Sequence, residues 1–290
     1  MENPFKTDYS DEEDKKLIQE ILNGSKESFE QLINRHQSYI YNIALKMVLN
    51  HEDAEDIMQE VLIIMITKLS QFQQQSKFRT WLYRIVVNYV LQMKKKTMEH
   101  QIKSFDWYED KLSELKDEDI PVDQKMIHQE SVDNAKSVCL AGMLLCLTRE
   151  QRIIYILGEL FQIDHNLGCE IFGISKDNFR QKLSRAKKDL YQFMDNKCGL
   201  INKSNPCRCI KKTKALIDAG WVNKDTMKFR ESYKKTIYQA LNEKADKAID
   251  VLEDSYLSVF QSQPFPENKY SEKIMTMLTS NSQLKKTFNL

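Results

Sequence analysis

The chain has 290 residues, 29% of them charged, and a net charge of only +1, enough length for about two domains of roughly 100 to 200 residues each. So even a balance neither favours nor excludes a polyanionic partner, because binding depends on where the charges sit. No run approaches the roughly 18 consecutive apolar residues of a membrane span, and the opening Met1-Glu2-Asn3-Pro4-Phe5-Lys6 lacks the apolar core of a signal peptide, so no membrane insertion is expected and the chain reads as cytoplasmic. Its six cysteines are then expected to stay reduced thiols unless a metal recruits them.

Only seven Gly and five Pro occur, and neither appears from Ser25 to Ile120, a pattern that favours helices. Residues 11 to 50 carry two apolar stripes at helical spacing, Leu17, Ile18, Ile21 and Leu22, then Phe29, Leu32, Ile33, Ile40, Ile43, Ala44 and Met47, divided at Gly24 and Ser25. A helix follows over about Glu52 to Leu69, its first turns acidic as the helix dipole favours, and another over about Lys77 to Lys96. Ser104 to Asp133 is acidic, contains Pro121 and reads as a linker with some helical turns. Ala135 to Leu147, Arg149 to Leu160, His165 to Phe172 and Ser175 to Met194 read as a second helical cluster, and the segment from Cys198 onward contains a long helix over Lys234 to Val259. The expected fold is all-α: two helical domains, 1–100 and 135–197, joined by a linker at 101–134 and followed by a helical extension at 198–290.

Four stretches carry chemistry. Between Lys77 and Lys96 the charged residues are Lys77, Arg79, Arg84, Lys94, Lys95 and Lys96, a sum of +6 with no acid, interleaved with Phe78, Trp81, Tyr83 and Tyr89. Rings beside cations suit single-stranded DNA, whose bases stack while its backbone follows the positive charge. The plainer reading, with Trp81, Ile85 and Val86 in a core and the lysines solvated, fits these residues equally well. In His51 to Leu69, five carboxylates precede six consecutive apolar residues, Val61 to Ile66. Such a helix must be buried on more than one side: either it is wholly internal, which the residues alone favour, or Asp56, Gln59 and Glu60 with Leu62 or Ile66 meet another protein. A metal-carboxylate reading of Glu55, Asp56 and Glu60 lacks a histidine at helical spacing.

In Asp164 to Tyr191, Gly173-Ile174-Ser175 separates two helices as the turn of a helix-turn-helix, with Ser175 as cap. Phe179, Leu183, Ala186 and Leu190 form the buried stripe of the second helix and leave Lys176, Asn178, Arg180, Gln181, Lys182, Arg185, Lys187 and Lys188 outside, side chains that can read base edges. Finally, Cys198, Cys207 and Cys209 offer three ligands of a zinc site without an evident fourth, and a phosphate contact by the surrounding basic residues or a lowered thiol pKa fits that stretch as well. Cys139, Cys146 and Cys169 read as core residues. There is no G-x-S-x-G, no glycine-rich phosphate loop and no His pair at metal spacing, so no enzymatic assignment is expected.

DAEDIMQEVLIIMITKL, SKFRTWLYRIVVNYVLQMKKK, LTREQRIIYIL and GISKDNFRQKLSRAKKDL, in this order, resemble regions two and four of the sigma-70 superfamily, specifically its small extracytoplasmic-function group, over roughly residues 25 to 195. The resemblance implies a factor that binds core RNA polymerase and directs promoter recognition, DNA opening and transcription initiation. By it, Asp53, Asp56, Gln59 and Glu60, with Leu62 and Ile66, dock on the polymerase. Phe78, Arg79, Thr80, Trp81, Arg84 and Asn88 line the minus-ten surface, with the Gln71 to Ser76 loop holding an extruded base. Lys176, Asn178, Arg180, Gln181, Ser184, Arg185 and Lys188 enter the major groove at the minus-thirty-five element. Core RNA polymerase, promoter DNA and an anti-sigma factor are the partners it suggests. Gly168 departs from the family pattern, standing where a larger apolar residue is common, and the segment from Cys198 onward is absent from minimal members. Two competing readings are a stand-alone duplex-binding regulator and an interaction protein whose tail covers its own DNA-binding faces.

Overall fold

In a computed structural model, residues 4–5, 9–118, 125–221, 276 and 280 are described, with only the backbone at 125–130, 133, 134 and 137. The expected helix over Lys234 to Val259 lies outside them. Among the described residues the chain is all-α, with a single isolated bridge between Cys198 and Cys207. Its helices are α1 (Asp11–Leu22), α2 (Lys26–Val48), α3 (His51–Leu69), α4 (Phe78–Gln92), α5 (Thr97–Gln101), α6 (Phe105–Glu114), α7 (Lys125–Cys146), α8 (Arg149–Tyr155), α9 (His165–Phe172), α10 (Lys176–Lys197) and α11 (Cys209–Asp218), with a π-helical turn over Ile156–Leu160 after α8. Side chains cap two helix starts: Ser25 accepts from the Ser28 amide at 3.2 Å, and Asn50 from the Asp53 amide at 2.9 Å.

Two compact units share the chain, one taking the residues up to Lys96 plus Ile156–Lys182, the other Thr97–Tyr155 and the described residues from Leu183. These units do not coincide with the boundaries read from the sequence, because the π turn packs on α2 and α9 packs on α4. In the first unit the two predicted apolar stripes meet: Ile18, Ile21, Phe29, Leu32, Ile33, Ile40, Val61 and Val86 are all buried. A polar knot ties α1, α2 and α4 inside this core. Tyr9 donates to Asp14 at 2.8 Å, Arg35 pairs with Asp14 at 2.9 Å, and His36 lies 3.4 Å from both Asp14 and the Tyr83 hydroxyl. Burial alone would raise the Asp14 carboxyl, but His36, Tyr9 and Arg35 together hold it below the ordinary range.

In the second unit the acidic stretch is more than a linker. Tyr108 of α6 is fully buried and donates to the Cys139 carbonyl at 2.9 Å. Gly142 of α7 makes this packing possible, since a Cβ there would stand 2.5 Å from the Tyr108 oxygen. Glu99 of α5 binds Arg149 at 2.7 and 2.8 Å and Arg152 at 3.1 Å. Arg152 also donates to the carbonyls of Leu144, Leu145 and Leu147, closing the end of α7 onto α8.

Candidate nucleic-acid interface

The acidic start of α3 comes first in the chain. Asp56 and Glu60 are exposed and Asp53 and Gln59 are half-buried. Lys96, just past α4, reaches Asp53 at 3.1 Å and Asp56 at 3.8 Å, so this carboxylate patch carries a cation on one side. Leu62 and Ile66 are fully buried, which corrects their expected role in docking. Helical geometry explains the difference. Glu60 is exposed, and the residues three and four positions after it, Ile63 and Ile64, are half-buried, whereas Leu62 and Ile66 lie on the inward side of the helix. Thr67 is exposed, so Ile63 and Ile64 are the apolar neighbours of the acidic strip.

On α4 the basic, aromatic stretch divides between core and surface. Phe78 is fully buried, with ring centroids 5.5 Å from His36 and 5.6 Å from both Phe72 and Trp81. Arg79 is buried too, pairing with Asp11 at 3.1 Å, donating to the Pro4 carbonyl at 3.0 Å and lying 5.6 Å over the Tyr9 ring. Thr80 has no exposed surface and donates to Glu170 of α9 at 3.2 Å. These three therefore serve packing in this structure, which corrects their expected place on an open DNA surface. The exposed part of α4 is Arg84 and Asn88, with Trp81, Ile85 and Tyr89 half-buried at intervals of three and four. Arg84 donates to the Glu170 backbone carbonyl at 2.7 Å, so α9 meets the edge of this strip.

The sequence missed Phe72, whose ring stands 5.3 Å from Trp81 and supports it from the preceding loop. Its signal was there: an aromatic among four exposed glutamines, Gln71, Gln73, Gln74 and Gln75. Lys94 and Lys95 lie beyond the end of α4 and are exposed.

The turn between α9 and α10 has the expected construction. Gly173 takes a left-handed φ of 64°, and the Ile174 amide returns to the Cys169 carbonyl at 3.1 Å. Ser175 accepts from the Asn178 amide at 3.2 Å, and Asp164 accepts from the Asn166 amide at 2.7 Å at the start of α9. Gly168 is explained by Phe179: a Cβ at Gly168 would lie 2.6 Å from that ring, so the missing side chain lets Phe179 bury between the two helices. On α10, Phe179, Leu183, Ala186 and Leu190 are buried as expected. Asn178, Arg180, Gln181, Ser184, Arg185 and Lys188 are exposed, and Lys176 is half-buried, bonding Asn166 at 2.8 Å. Arg180 donates to the His165 ring at 3.1 Å and so holds a fixed position at the turn.

Around the extension's cysteines, burial raises the thiols of Cys198 and Cys207 and pushes Cys209 up to about 12. This corrects the lowered-pKa alternative: the nearby cations do not offset the desolvation. No described helix is long and apolar enough to cross a membrane.

Comparison with known proteins adds to this geometry. Residues 32–99 match the sigma-70 region 2 family, spanning most of α2, α3 and α4. Over 77 residues the chain is 34% identical to the RNA polymerase sigma-H factor of Pseudomonas aeruginosa, covering 27% of this chain and 40% of that protein. Over 74 residues it is 35% identical to the ECF RNA polymerase sigma factor SigW of Bacillus subtilis, covering 26% and 40%. A longer match, 22% identical over 167 residues, joins 58% of this chain to 62% of the ECF RNA polymerase sigma factor SigE of Mycolicibacterium smegmatis. The chain thus spans about 40% of the length of the first two relatives. The matched region is the α2–α4 bundle that presents the acidic strip of α3 and the Trp81–Arg84–Asn88 strip of α4, and over that region the chain is similar to sigma-70 region 2 and to sigma factors of the extracytoplasmic-function type.

Proposed function

We propose that this chain is a transcription initiation factor that binds core RNA polymerase, directs it to promoters and assists their opening, acting through binding energy and not through catalysis of its own. The observation that carries the reading is the presence, on one polypeptide, of two solvent-reaching helix surfaces of different kinds, each suited to DNA. One is the ring-bearing strip of α4, Trp81, Arg84, Asn88 and Tyr89, suited to stacking unpaired bases. The other is the exposed side of α10, where Arg180, Gln181, Ser184, Arg185 and Lys188 follow a capped helix-turn-helix and can read base edges in a major groove. Asp53, Asp56, Gln59 and Glu60 at the start of α3 supply the polymerase contact, with Ile63 beside them. Trapping unpaired DNA on α4 favours the open promoter by mass action, since a ligand shifts an equilibrium by its preference for one state. An anti-sigma factor that covers either helix face would switch the activity off.

Run-off transcription with purified core polymerase on a genomic promoter library tests this. Discrete starts that require the protein are expected. A folded protein that forms no holoenzyme and yields no promoter-specific transcripts overturns the proposal. Tight duplex binding by the free protein without polymerase would instead favour a stand-alone regulator.

A further inference from the structure

The second unit gathers thiols that the sequence keeps apart. One cavity is lined by Cys139 of α7, Cys198 at the end of α10, Cys207 of the following loop and Cys209, the first residue of α11. The sequence offered three candidate ligands and no fourth; the fold supplies Cys139, distant in the chain and half-buried, its backbone carbonyl accepting from Tyr108.

The backbone around these thiols is arranged for them. Cys198 and Cys207 are joined by a backbone bridge, which puts their side chains near one another. That approach depends on Gly199, where a Cβ would stand 2.0 Å from the Cys207 carbonyl oxygen. After Cys198 the chain folds back, the Ile201 and Asn202 amides donating to the Cys198 carbonyl at 3.2 and 3.0 Å. Asn205 braces the loop by donating to the Asp195 carbonyl at 2.7 Å and the Cys198 carbonyl at 3.2 Å. Cys209 sits at the positive end of α11, which favours a thiolate. Lys136 and Lys212 line the same cavity together with Glu109 and Asp117, and Lys212 pairs with Asp117 at 3.1 Å.

We propose that Cys139, Cys198, Cys207 and Cys209 form a four-thiolate zinc site that fastens α11 and the Cys198–Arg208 loop to α7. Four thiolates make a closed tetrahedral set with no position left for substrate, so the site is structural. Each thiol binds as thiolate and its proton passes to solvent; Lys136, Lys212 and Arg208 balance the negative charge of the filled site. As placed, no three described His, Cys, Asp or Glu side chains stand at ion-holding spacing. Binding would therefore require the cysteine side chains to turn about χ1 into other staggered wells.

The test measures metal in the full-length chain purified under reducing conditions without chelator. Elemental analysis and native mass spectrometry should find one zinc per chain, lost in Cys139→Ser and Cys207→Ser but kept in Cys146→Ser and Cys169→Ser, whose thiols do not line the cavity. Metal-stripped wild-type protein titrated with Co²⁺ provides a readout that does not depend on variants folding. It should show intense thiolate-to-cobalt charge transfer and tetrahedral bands that saturate at one equivalent and are displaced by Zn²⁺. Absence of both bound zinc and a thiolate–cobalt spectrum would overturn the site, and so would full zinc occupancy in Cys139→Ser. These outcomes are independent of whether the chain directs transcription.

Discussion

In this structure the α4 strip is partly held by α9, and Glu170 is the residue that holds it. Its carboxylate accepts from Thr80 at 3.2 Å and its backbone carbonyl from Arg84 at 2.7 Å. Glu170→Ala removes the first bond and leaves the second, because the carbonyl belongs to the backbone. A hydrogen bond to a charged group contributes about 1.5 to 3 kcal/mol net, and the exposure of Glu170 puts this one near the lower figure. If α9 must leave α4 before single-stranded DNA can bind, apparent affinity scales with the fraction of molecules in which it has left. Losing about 1.5 kcal/mol then raises that fraction roughly tenfold. Fluorescence anisotropy with a labelled A+T-rich single strand should therefore show about tenfold tighter binding by Glu170→Ala at low salt. Glu170→Gln, which keeps a neutral acceptor, should fall between it and the parent chain. Superimposable binding curves for all three proteins, with unchanged circular dichroism and melting, would refute this account of α9 as a cover.

Replacing Asp56 and Gln59 together by Ala should weaken core-polymerase association, read by competition against a labelled sigma factor, while leaving the melting temperature in place because both side chains reach solvent; undiminished affinity would remove this strip from the interface. Arg185→Ala should cost on the order of 1 to 3 kcal/mol in upstream-element recognition yet leave transcription from a pre-opened template unchanged, and equal losses on both templates would count against a base-reading role. Lys46, wholly buried at the end of α2 with its amine 5.5 Å from the Phe161 ring, titrates at about 7 because burial disfavours its charge. Between about pH 7 and its ordinary value of 10.5 the unfolded chain binds more protons than the folded one, so stability should rise with pH across that window and the penalty should be complete below it. Lys46→Met should flatten that slope in thermal melts and raise the midpoint at neutral pH, by an amount on the order of a few kcal/mol at most; a slope that survives the substitution assigns it to another group.

The sequence by itself determined most of the helices of the first unit and of the helix-turn-helix and their apolar faces, because these depend on neighbours three or four positions away, whereas α6, the start of α7 and α11 went unread. Scarcity of Gly and Pro, the cap Ser175, the turn at Gly173 and the stripe Phe179, Leu183, Ala186 and Leu190 are all local facts, and the structure retains each of them. What could not be read locally was which member of an all-apolar run or a basic, aromatic run faces inward. Leu62, Ile66, Phe78, Arg79 and Thr80 are buried because α2, α9 and the N-terminal residues around Pro4 and Tyr9 close over them, and none of those neighbours is near in sequence. The same holds for Gly168, whose purpose is the ring of Phe179, and for Cys139, which joins three cysteines some sixty positions or more away. Periodicity fixes a helix and its apolar side, whereas the identity of the partner on that side is set by long-range packing, and only the tertiary structure decides it.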